Sequence, residues 1–257
     1  MSSLEELVIQ IELHSPESIQ RYFASGIPPN IDYKGAPLID TMINMYTRTP
    51  RFKECIKVFV DSGLELTDKV LLSVLLDDAV SLEKYINNNP EISWAKYSLD
   101  CAYTPMQNVS LLHICAEYIH LECAKVLVSY GADVNERAGI DEMGFGGQSP
   151  VFHTVNQNQN NSAEMLNYLL SESADLAITV KGIIWGKGYE WETLISSVNP
   201  ISYAVMGLLP QIHRNEITIS KVVTTLLKLH YGIEYAPPNV PCAYLNLPKK
   251  IERLTDL

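Results

Sequence analysis

Positive charge, cysteine pairs and long apolar runs are scarce in this chain, and each shortage removes a class of function. Lysine and arginine number 19 against 30 aspartates and glutamates, which leaves a formal charge of −11. Sequence-independent nucleic-acid binding and docking on anionic membranes both depend on cations, so neither partner is expected. No apolar run approaches the ~20 residues that span a bilayer. The opening MSSLEELVIQIEL has no basic stretch, and Glu5, Glu6, Gln10 and Glu12 interrupt its apolar residues, so it does not read as a secretory leader. The five cysteines are odd in number and form no CxxC pair. Reduced thiols and a cytoplasmic location are therefore the expectation.

Signatures of catalysis are missing too. The glycine-rich Gly144-Phe145-Gly146-Gly147 lacks the GxxxxGK[ST] pattern and the strand–loop–helix setting of a phosphate loop, so it reads as a tight turn. There is no GxSxG elbow and no local Cys/His protease signature. His113, His120, His153 and His213 show no metal-ligand spacing, and pairs such as Asp77-Asp78 and Asp141-Glu142 read as solvated acids. No metal, cofactor or catalytic residue is expected.

What is present is helical periodicity, clearest over residues 110–135, SLLHICAEYIHLECAKVLVSYGADVN. Leu112, Cys115 and Ala116 share one helical face, and after a break near Ile119-His120 so do Ala124, Leu127 and Val128. Gly131 suits the stop, and Asp133 and Asn135 suit the turn beyond it. Two helices of about ten residues cannot bury their apolar faces alone, so neighbours of the same kind are required.

The opening Ser110-Leu-Leu-His113-Ile-Cys-Ala116 with Gly131-Ala-Asp133-Val-Asn135 resembles an ankyrin repeat, a family with a period of ~33 residues and a T-P-L-H-x-A opening. The resemblance implies an all-α solenoid, an ankyrin repeat stack with a β-hairpin insertion. Phase from this repeat gives about six units, near residues 2–33, 34–66, 67–108, 109–146, 147–197 and 198–234, followed by an extension over 235–257. Helices are expected from Leu4 to Leu13, from Pro16 to a stop at Gly26, from Phe52 to Ser62 with Cys55, Val58 and Phe59 inward, and over 67–77 and 80–87. Ser149-Pro150-Val151-Phe152 opens the fifth unit with Phe152 where the family has His; 163–171 is its second helix. Asn199-Pro200 opens the sixth, which continues through an insert at 207–217 to a helix over 220–230.

Two stretches break the pattern. Residues 91–109 form a long connection holding Trp94, Tyr97 and Tyr103, either a functional loop or an embellishment. Residues 178–198 are β-branched and aromatic around Gly186-Lys187-Gly188, which predicts a hairpin projecting from the edge of the stack. Its Trp185 and Trp191 read equally as a packed plug or as an exposed finger.

By the resemblance, the chain is expected to be a non-catalytic, monomeric protein–protein interaction scaffold. Loop fingers and the concave helical face would bind through Phe145, His153, Asn156, Trp185, Tyr189 and Trp191. A second reading is an acidic, immunity-type neutraliser of a basic effector protein, resting on the net charge. A third is an enzyme with a small-molecule pocket beside Trp185 and His153.

Overall fold

The computed structural model describes residues 2–157, 160–205 and 216–237. Helix pairs follow one another as the periodicity predicts. The first pair is α1 (Ser3–Glu12) and α2 (Pro16–Ala24), and α1 starts where Ser2 and Glu5 satisfy each other's backbone N–H in a capping box. The next pairs are α3 (Leu38–Asn44) with α4 (Phe52–Asp61), then α5 (Lys69–Leu75) with α6 (Ala79–Asn88). Asp68 and Asp78 cap these last two by accepting from Leu71 N at 2.8 Å and Ser81 N at 3.0 Å. Then come α7 (Leu111–Tyr118) and α8 (Leu121–Ser129), parted by Ile119 at a left-handed φ of 64°, which is the break expected there.

The pairs rest on one another along the chain: α1 on α3, α2 on α4, α5 on α7 and α6 on α8. One apolar core runs between them, from Leu7 and Ile11 through Phe59, Val74 and Leu112 to Met165 and Leu226. The outer helices bury one stripe and face water with the other, whereas α7 is buried along its whole length, so the stability lies in the stacking rather than in any one helix. Val58 is only half-buried; Phe52 and Ile56 join Cys55 and Phe59 inside instead. Described cysteines are free thiols, and Cys242 lies outside the described residues.

The fifth unit departs from the expected pair. Its first helix is reduced to a 3₁₀ turn over Pro150–His153, against which both α7 and α9 (Ala163–Ser171) pack. The sixth has α10 (Pro200–Val205), capped by Asn199 through Ser202 N at 2.9 Å, and α11 (Glu216–Tyr231). The insert expected at 207–217 lies almost wholly outside the described residues, as does the extension beyond Pro237.

Strands occur as antiparallel pairs: β1 (Asp32–Tyr33) with β2 (Ala36–Pro37), β3 (Lys96–Leu99) with β4 (Met106–Ser110), and β5 (Val180–Trp185) with β6 (Thr193–Val198). The connection at 91–109 is thus a 3₁₀ turn (Pro90–Trp94) followed by a hairpin. The hairpin at 178–198 forms as predicted but does not simply project. Val180, Ile183, Ile184 and Trp185 of β5 are buried, while most of β6 faces outward, so the hairpin lies along the body.

Candidate functional site

The glycine-rich turn joins the two larger hairpins. Gly139 N–H donates to Gln107 O of β4 at 2.8 Å, Ile140 bridges Gly146, and Gly146 N–H donates to Gly182 O of β5 at 2.8 Å. Only glycine suits position 146: φ is +100°, and an added Cβ would stand 2.4 Å from the Gly139 carbonyl oxygen. Asp141 fixes the turn by accepting from Phe145 N at 2.9 Å and Met143 N at 3.0 Å; the Phe145 bond above all, with Lys187 and the Met143 bond, holds its carboxyl below the usual range. At the far side the hairpin ends meet, where Gly186 N–H donates to Ala102 O at 2.9 Å.

This ring of backbone encloses a groove of about 1000 Å³. Its walls are the β3–β4 hairpin, the 138–146 turn and the β5–β6 tip, with Asn44 at the end of α3. Apolar lining comes from Met106, Ile140, Phe145 and Ile184; Asn44, Gln107, Asn108, Asp100, Asp141 and Lys187 supply polar groups.

The six residues expected to bind a partner fall in different places. Trp185 is 1% exposed, donates its indole N–H to Tyr203 OH at 2.6 Å, and packs edge-on against Tyr103. It is a plug and presents nothing to a partner. His153 is likewise enclosed: Nδ1 lies 2.8 Å from Glu117 Oε2 in the interior rather than on a concave surface. Tyr189 and Trp191, at 51% and 42% exposure, stack on each other at the hairpin tip, and Asn44 Nδ2 donates to Tyr189 OH at 3.2 Å. Phe145 is half-buried, its ring under Lys181 Nζ at 5.2 Å. Asn156 is half-buried and is not among the groove-lining residues. The structure thus brings Phe145 and Tyr189 to one groove, with Trp191 beside it, and leaves the other three apart.

A buried polar cluster under this surface was not anticipated. Glu117 on α7 binds Arg48 Nε at 2.7 Å and His153 Nδ1 at 2.8 Å; Arg48 also donates to the Met45 and Thr47 carbonyls and lies over the Tyr118 ring. Burial alone would raise the Glu117 carboxyl, but Arg48 and His153 hold it well below the usual range. An ionised carboxylate only accepts, so the Nδ1 of His153 carries the proton. Nearby Cys101 lines the groove, and burial, with Glu117 beside it, pushes its thiol up to about 12, so it is no nucleophile at neutral pH. The sequence signal for this cluster was an acid inside the apolar run of α7, one turn past His113.

Trp185 packs against Tyr103 and Tyr203, and Phe152 against Tyr203, whereas the His153 ring meets His113 edge-on. Among the described residues no group of three or more His, Cys, Asp or Glu is placed to hold a metal ion, and no helix is long and apolar enough to cross a membrane.

No curated protein matches the chain. The family model for the ankyrin repeat matches residues 108–138, the segment built from β4, α7, α8 and the loop after them. The chain therefore contains an ankyrin repeat, with α5 and α6 packed against one side of it and the 3₁₀ turn at Pro150–His153 against the other.

Proposed function

We infer that the chain is a non-catalytic scaffold that binds another protein in the groove between its two larger hairpins. Ankyrin repeats are generally protein–protein interaction modules and typically do no chemistry. The observation that carries the reading is the groove itself, with exposed Ile140 and Tyr189 on its rim and Trp191 stacked on Tyr189. Large apolar and aromatic side chains held open beside a concave, partly polar wall are the usual makings of an interface. The remaining helix pairs act as one rigid stack of about six units, a monomer of cytoplasmic type with reduced thiols.

Site-specific photocrosslinking in cells tests this. A crosslinking side chain at Ile140 or Tyr189 should give a discrete protein adduct. The same group at Val80, exposed on α6 and not among the groove-lining residues, should not. Equal labelling at all three positions, or none at the first two, removes the groove as the binding surface.

A further inference from the structure

Three units meet at one buried ring. Phe52 opens α4 of the second unit. His14, in the turn between α1 and α2, stands edge-on to it at 5.8 Å. From the corner between α7 and α8, Tyr118 stacks on it at 4.3 Å and His120 tilts against it at 5.7 Å. Tyr118 OH also donates to the Ile43 carbonyl of α3 at 2.9 Å, one residue before Asn44 in the groove wall. Neither histidine finds a counter-ion in this packing. His14 Nδ1 lies 2.8 Å from Thr49 Oγ1, its Nε2 is buried without a partner among the described residues, and the charges facing it are the guanidiniums of Arg48 and Arg51. Both ring nitrogens of His120 are buried without a hydrogen bond of normal geometry; the Val74 carbonyl and the Asp77 carboxylate face it from the third unit, and Lys53 from the second. That carboxylate is already taken, by Lys53 Nζ at 2.8 Å and the Cys123 N–H at 3.0 Å. Burial above all therefore holds both imidazoles down to about 4, with the two arginines adding to it at His14.

We propose that these rings form an acid-opened latch: protonation of His14 and His120 releases the α1–α2 turn and the start of α4 from the Tyr118–His120 corner, and frees the Ile43 end of α3. A charged imidazole gains water only by leaving Phe52, and both rings leave the same partner, so the two protonations drive one opening. His113 has no part in it, being bonded at both ring nitrogens. In the open state each ring takes its proton near pH 6.5, so the closed state is fully favoured above that pH and is lost as pH falls toward the lower value of the closed form. The latch stands on these contacts alone; only its effect on a bound partner, through the Asn44 wall, rests on the groove being the binding surface.

Hydrogen exchange of the intact protein at pH 7 and 5, corrected for the intrinsic pH dependence of amide exchange, tests the latch. Amides of α2 and α4 should lose protection about twentyfold for each histidine released, while those of α9 lose less. His14→Asn, which suits the left-handed backbone there (φ 49°), and His120→Phe should each remove part of this response, and together nearly all of it. Folding of the variants at pH 7 is checked by circular dichroism. Should a variant not fold, the imidazole ring carbons of the parent, followed by NMR, still decide the matter: both rings should stay neutral down to pH 5 while the protein is closed. A ring that titrates near pH 6.5 with the α4 amides still protected overturns the proposal. So does equal loss of protection in every helix, or a pH response unchanged in the double variant.

Discussion

In the repeat at 108–138, Ser110 Oγ lies 2.8 Å from His113 Nδ1, and His113 Nε2 reaches the Gln148 carbonyl at 3.1 Å. A carbonyl only accepts, so Nε2 carries the proton and Nδ1 receives from Ser110. The ring thereby ties the start of α7 to the loop entering the next unit. One unit later the same positions read Ser149 and Phe152. Phe152 goes into the apolar core against Tyr203, Ser149 Oγ is buried without a partner, and the helix shrinks to a 3₁₀ turn. The histidine has moved one place on, to His153, and serves Glu117 of the preceding unit instead. The fourth unit is thus fastened by its own motif, the fifth by its neighbour's carboxylate.

Removing that carboxylate should break the comparison most severely. Glu117→Ala leaves the Arg48 guanidinium buried and uncompensated, and frees His153 from its one anchor. Loss of one partner of a buried pair typically costs about 3–5 kcal/mol. Urea unfolding should show the midpoint falling accordingly, with residues 150–171 losing hydrogen-exchange protection before α1 and α2. Equal loss throughout would mean that the fifth unit is not held this way.

Acid should act on the buried histidines of the fourth unit, as on His14 of the first, which burial also pushes down to about 4. Burial pushes His120 down to about 4 and His113 well below its usual value. In the unfolded chain both take a proton near pH 6.5. Between about pH 6.5 and pH 4 the unfolded state therefore binds more protons, and stability falls as pH falls. His120 alone is worth about 3 kcal/mol over that window, at about 1.4 kcal/mol per pKa unit. Chemical denaturation at pH 7 and 5 should show the drop, and His120→Phe should flatten the slope. A slope unchanged in that variant would sink the assignment.

Copying the fifth unit's residue into the fourth sharpens the contrast. His113→Phe removes the bonds to Ser110 and to the Gln148 carbonyl while filling similar space, and should cost about 2–3 kcal/mol, the desolvation of the groups left behind. The reciprocal Phe152→His should also destabilise, because the ring would enter an apolar site against Tyr203. If Phe152→His stabilises instead, the motif is portable between units and the account above fails.

How much of this was legible depends on range. Helices α1, α4, α6, α8 and α9, and the 178–198 hairpin, were readable because their signals are local: caps, apolar spacing, a glycine turn. His113 was readable because its partners follow from a motif. The collapse of 150–153 into 3₁₀ was not, since Phe152 is decided by Tyr203 far along the chain. Nor were the burials of Trp185 and His153, which rest on Tyr203 and Glu117. The groove, finally, exists because three separate loops meet, and the bonds of Gly139 to Gln107 and of Gly186 to Ala102 leave no mark in sequence spacing.

The smallest expected effect separates the two serines. Ser110→Ala removes a hydroxyl bonded to His113 at the helix start, and caps of this kind are worth about 1 kcal/mol. Ser149→Ala removes a hydroxyl that is buried and unpartnered, so the loss is offset by relief of its desolvation and the change should lie within about 0.5 kcal/mol of zero. Melting temperatures of the two variants, measured side by side, decide it. Equal losses would mean that Ser149 Oγ bonds a buried water and that the fifth unit retains the motif's fastening in hydrated form; a loss at Ser110 alone leaves Glu117 as the fifth unit's principal polar anchor.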